Sequence, residues 1–199
     1  MPYYQRLFSR SPESISWPQL QGCLPDGVTA ELDVGTPDNW QAALLRGSRG
    51  EEIALVEKAD DELLAGEIAE FVEELAEARP ITGARWVADY LGEATQLISC
   101  QVLDAGFGEI YGGTPGLVLW NIKHALGEGI IQSDGEGFTN LDGYHAVWQF
   151  SDDVSGPWAM SVLTAGGQWV AYQMELGDPA QRRAFLEGKV PANVKILDQ

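Results

Sequence analysis

Asp61-Glu62-Leu63-Leu64-Ala65-Gly66-Glu67-Ile68-Ala69-Glu70-Phe71-Val72-Glu73-Glu74-Leu75-Ala76-Glu77-Ala78 is the most strongly periodic stretch of the chain, and the fold class turns on it. At 100° per residue Leu64, Ile68, Phe71, Val72 and Leu75 gather within one arc of about 100°, the width of a stripe that faces a core. Glu67, Glu70, Glu73, Glu74 and Glu77 fall on the opposite side. The spacing predicts one amphipathic helix over 61–78. Arg79-Pro80 ends it, because proline removes a backbone donor and disfavours helical geometry in the residue before it.

Upstream, the period changes from 3.6 to 2. Val28, Ala30, Leu32 and Val34 alternate with Thr29, Glu31 and Asp33, the pattern of a half-buried strand. Residues 40–46 and 52–57 flank Gly47-Ser48-Arg49-Gly50 and predict a hairpin. A short strand is expected over 3–8. Ser16-Trp17-Pro18-Gln19 carries a capping hydroxyl, a first-turn proline and a capping-box glutamine, so a helix starts there.

Downstream, residues 82–91 read as a helix ended by Gly92, and 95–103 as a buried strand. A glycine-rich loop spans 106–113. Thr114-Pro115 opens a helix that stops at Gly127. Four strands are predicted at 129–133, 144–150, 157–164 and 168–176, with Asp142-Gly143 and Gly166-Gly167 as hairpin turns. Asp178-Pro179 starts a last helix through Glu187. Strands and helices in these blocks make an α+β chain of mostly antiparallel sheets, each packed by helices on one face. Two similar β-α-β-β-β-α runs point to a duplication dividing the chain into 1–79, which ends in the acidic helix, and 80–199, which is rich in aromatics.

Hydrophobic residues at 45% and charged ones at 21% are the mix of a folded protein, which excludes a disordered tail. Thirty acidic residues against twelve basic ones give a net charge of −18. Phosphate contacts need a basic surface, so nucleic acid is not an expected partner, and the same repulsion disfavours an anionic membrane. Eleven acidic residues and one lysine lie between Glu51 and Ala78, so most of the charge is concentrated there. No signal peptide and no membrane span are expected, and two distant cysteines, Cys23 and Cys100, fit reduced, buried thiols. Together these suggest a cytoplasmic protein.

Reactive signatures are sparse. GxSxG is absent. Gly106-Phe107-Gly108-Glu109-Ile110-Tyr111-Gly112-Gly113-Thr114 puts Tyr111 where a dinucleotide loop needs glycine, and it lacks the lysine of a phosphate-binding loop. Cys100 with His145 is the one conceivable thiol–imidazole pair, and its apolar surroundings disfavour the thiolate. His145 beside Asp134, Glu136, Asn140 and Asp142 lacks the order of a calcium loop, so neither a metal nor a cofactor is expected.

Two functional expectations follow. The first is a non-enzymatic protein-interaction module, such as an inhibitor, antidote or regulator, meeting a basic partner protein through Glu67, Glu70, Glu73, Glu74 and Glu77. The alternative is a small-molecule-binding protein or enzyme. Its cleft would be lined by Trp148, Trp158 and Tyr172, with His145 and Asp134 or Glu136 as polar groups.

Overall fold

The computed structural model describes residues 2–197. In chain order it contains β1 (Tyr3–Ser9), α1 (Trp17–Gly22), β2 (Thr29–Thr36), β3 (Asn39–Arg46), β4 (Glu52–Lys58), α2 (Asp61–Leu75) and α3 (Ile81–Gly92). There follow β5 (Gln96–Val102), a 3₁₀ turn at Asp104–Phe107, α4 (Thr114–Leu126), β6 (Ile130–Ser133) and β7 (Gly137–Phe138). The last elements are β8 (Pro157–Leu163), β9 (Trp169–Glu175), α5 (Pro179–Leu186) and β10 (Lys195–Ile196). The fold is α+β. A seven-stranded antiparallel sheet runs in the order β2-β3-β4-β5-β1-β6-β7, and a three-stranded sheet in the order β10-β9-β8. Among the described residues no helix is long and apolar enough to cross a membrane.

Two compact units form, Met1–Ala65 with Ala94–Ile131 and Gly66–Glu93 with Gln132–Gln199. Each is assembled from two separate stretches of chain, whereas the sequence pattern suggests a single division after residue 79.

In the first unit β5 lies between β4 and β1. Gln101 faces Leu55 on one side and Tyr4 on the other. A repeat of two like halves is not confirmed: the strand expected to open the second half instead completes the sheet of the first. α1 begins as its capping box requires, with Ser16 accepting from the Gln19 N–H and the Gln19 side chain accepting from the Ser16 N–H. Leu7, Leu20, Leu45, Ile53, Val56, Cys100 and Ile122 bury their side chains in one apolar cluster. At its edge the Trp40 indole N–H donates to the Ile15 carbonyl at 3.0 Å. Lys58 donates to the same carbonyl at 2.7 Å while its ammonium sits 4.2 Å from the Trp40 ring centre. On β2, register shifts on both sides of Val34 turn that side chain outward, so the predicted alternation stops at Leu32.

In the second unit the β8–β9 hairpin closes over Ala165–Gly167, with Leu163 opposite Trp169 and Gly167 at φ 76°. Phe150, Met160, Val162, Tyr172, Met174 and Phe185 form its core. Phe71 of α2 packs edge-on against Phe138 of β7, with ring centres 5.1 Å apart. α2 ends at Leu75, and Ala76, Glu77 and Ala78 close a tighter turn by donating to Glu73, Glu74 and Leu75.

The strand predicted over 144–150 does not form. The turn at Asp142-Gly143 does, with the Asn140 N–H on the Tyr144 carbonyl and the Asn140 side chain accepting from the Asp142 and Tyr144 N–H groups. Beyond it the extended chain divides its hydrogen bonds. His145 bridges to β8, Ala146 donates to Phe138, and Trp148 donates to the Arg79 carbonyl. Two glycines admit this backbone: a Cβ at Gly137 would meet the Val147 carbonyl oxygen, and one at Gly83 the Ala146 carbonyl oxygen. Alternating side chains therefore reflect extended backbone without a ladder.

Candidate functional site

Three groups of side chains in the second unit carry the chemistry. The first is the outward row of α2. Phe71 and Leu75 are buried, Ile68 is half-buried and Val72 is exposed, so the apolar stripe is narrower than its sequence arc. Glu70, Glu73, Glu74 and Glu77 are exposed, and none has a cation within 4.0 Å among the described residues. Glu74 accepts one long hydrogen bond from the Gln149 amide, at 3.3 Å. Glu67 is half-buried and engaged within the protein.

The second is the aromatic group. The Trp158 indole N–H donates to His145 Nδ1 at 3.1 Å. An indole nitrogen can only donate, so Nδ1 accepts and the neutral imidazole carries its proton on Nε2. Nε2 is buried, with no partner at hydrogen-bond distance among the described residues, and lies 3.7 Å from the Glu136 carboxylate. A ring in this tautomer, its lone pair already taken by Trp158, offers no free nitrogen to a substrate proton or a metal. Phe150 stands between the rings of His145, Trp148 and Trp158, with centres 5.6, 5.1 and 5.4 Å away. Tyr172 is fully buried, its hydroxyl has no partner among the described residues, and burial pushes its phenol up from the usual value. Asp134 is half-buried and accepts from the Gln132 amide at 3.4 Å. A ligand among these rings would have to displace the indole–imidazole bond.

The third group belongs to no sequence motif. Arg79, Arg182 and Arg183 line a cavity of about 550 Å³ together with Leu186, Asp152 and Glu187. Asp178 starts α5 by accepting from the Ala180 and Gln181 N–H groups, which sets Arg182 and Arg183 on its middle turn. Arg182 is fixed: it lies 4.9 Å from the Trp148 ring centre and donates to the carbonyls of Leu176, Val154 and Asp152. Arg79 closes the turn that follows α2, its Nη1 donating to the Glu77 and Ala78 carbonyls at 2.9 Å each. The available clue was Arg182-Arg183, the one adjacent pair of cations in the sequence.

Comparison of the chain with protein-family models, curated proteins and solved structures finds no match.

Cys100, conceivable as a nucleophile from sequence, lies in the core of the first unit, where burial pushes its thiol up to about 12. Cys23 is likewise raised by burial. Among the described residues no three His, Cys, Asp or Glu side chains cluster as metal ligands. The glycine-rich loop becomes a 3₁₀ turn at Asp104–Phe107 and then a tight turn, in which Gly106 brings its backbone against Ile53.

Proposed function

We propose that the chain is a non-enzymatic, cytoplasmic protein-interaction module that docks a protein of basic surface on the outward row of α2. One observation carries the reading. Glu70, Glu73, Glu74 and Glu77 project from consecutive turns, and no cation of the described residues pairs with any of them. Four carboxylates without a paired cation, along α2 and the turn after it, set up a local negative potential that steers a basic partner and orients it on arrival. Inhibition of a basic enzyme and regulation of a basic partner both fit this chemistry. The engaged His145 ring and the raised Cys100 thiol support a binding role over a catalytic one.

Affinity capture from the native host's lysate at low salt, run side by side with the wild type and with Glu70, Glu73, Glu74 and Glu77 all changed to Gln, tests this. A basic protein should co-elute with the wild type, and its recovery should fall about tenfold with the variant. Equal recovery from both would overturn the proposal.

A further inference from the structure

The cationic cavity is a separate feature, and its lining groups are unusual for so acidic a chain. Three other arginines find carboxylates, Arg10 on Glu128, Arg46 on Glu31 and Glu52, and Arg49 on Glu51, whereas exposed Arg85 has none among the described residues. Arg79 and Arg183 are exposed and have no carboxylate of the described residues within 4.0 Å, although acidic residues outnumber basic ones thirty to twelve. The two carboxylates that line the same space are already occupied. Glu187 is held by Lys189 at 2.8 Å, which keeps its carboxyl below the ordinary range with a smaller pull from Arg183. Asp152, turned to solvent, lies 3.8 Å from Arg182. Arg79 uses only Nη1 on its own backbone, which leaves Nε and Nη2 to donate.

A second cavity of about 650 Å³ shares Arg79, Leu186 and Glu187 with the first and adds Ile81, Leu163 and Lys189. Both volumes fall in the range of small-molecule sites, which combine apolar walls with a few placed polar groups. A guanidinium presents parallel N–H donors that match the two oxygens of a carboxylate or phosphate. We infer that Arg79 and Arg183, braced by the fixed Arg182, form a binding site for a small amphipathic oxyanion. Its phosphate or carboxylate head meets the guanidinium groups, and its short apolar body lies along Leu186, Ile81 and Leu163. The proposal does not rest on the acidic row, although Arg79 is held by the Glu77 carbonyl.

Calorimetric titration of the full-length protein with hexyl phosphate, hexanoate and hexanol tests the site. Saturable binding of at least one of the two anions, and none of hexanol, is expected. The tighter anion identifies the head group as phosphate or carboxylate. Arg79→Gln and Arg183→Gln should each weaken that binding about tenfold, the loss expected for one charge-assisted contact. Lys195→Gln, a cation outside both cavities, should leave it unchanged. The Arg183 side chain makes no hydrogen bond or ion pair among the described residues, so its variant should keep the wild-type urea midpoint and report on binding alone. The site is overturned if neither anion saturates by about 10 mM, if hexanol binds as well as the anions, or if the Arg183 variant binds like the wild type.

Discussion

The outward row of α2 and the cavity beside α5 are both sites of unneutralised charge, and they are built in opposite ways. Glu70, Glu73, Glu74 and Glu77 come from one short run of sequence, are exposed, and need only α2 and the turn that follows it to align them. Arg79, Arg182 and Arg183 come from stretches about a hundred residues apart. They are positioned by backbone carbonyls, by the Trp148 ring and by a capped helix. The anionic surface is a local property of the chain and the cationic cavity a property of the fold. Steering a large partner needs only a field, whereas holding a small anion needs donors fixed in place.

Disrupting what supports each region separates the two. Phe71→Ala removes the ring that anchors α2 on Phe138 and should cost about 3–5 kcal/mol, read as a lowered urea midpoint. A loss below 1 kcal/mol would mean that α2 is held in some other way. Gly137→Ala acts on the segment that carries Trp148. With φ at 111° and the Val147 carbonyl in the way of a Cβ, about 1–3 kcal/mol should be lost. The same variant should weaken hexyl phosphate or hexanoate binding if the segment braces Arg182.

Neutralising α2 with the fourfold Gln variant should leave stability nearly unchanged and slow association with a captured basic partner about tenfold at low salt. The difference should shrink as salt screens the field. Lys189→Gln has the smallest expected effect. Without its ammonium, the Glu187 carboxyl should rise toward its ordinary 4.5 in an NMR titration. A carboxyl depressed in the folded state stabilises above its unfolded value and loses that contribution as pH falls. The slight destabilisation by Lys189→Gln should therefore be present at neutral pH and absent in acid.

What could be read in the sequence follows the same division. α4 starts and stops where Pro115 and Gly127 put it, because a fixed φ and a left-handed turn at φ 84° are decided locally. The capping box at Ser16 and the hairpin over Gly47–Gly50 were legible for the same reason. Tyr144, Ala146, Trp148 and Phe150 alternate as strand residues do, yet their backbone bonds to several different partners, and pattern alone cannot distinguish a ladder from a shared tether. β7 and β10 are two residues each, too short to leave a period. The acidic row could be located by counting, whereas the arginine cavity could not, since nothing near Arg79 in the sequence points to Arg183.

The placement of β5 bears on how the chain is made. Tyr3 waits for Val102 and Ala54 waits for the same residue, so until that point has been synthesised β1 and β4 each keep an open edge where β5 will sit. A nascent chain halted at residue 79 would lack both neighbours of β1 and one neighbour of β4, a state prone to pairing with other chains. Closure of this sheet therefore awaits a strand that lies beyond Pro80.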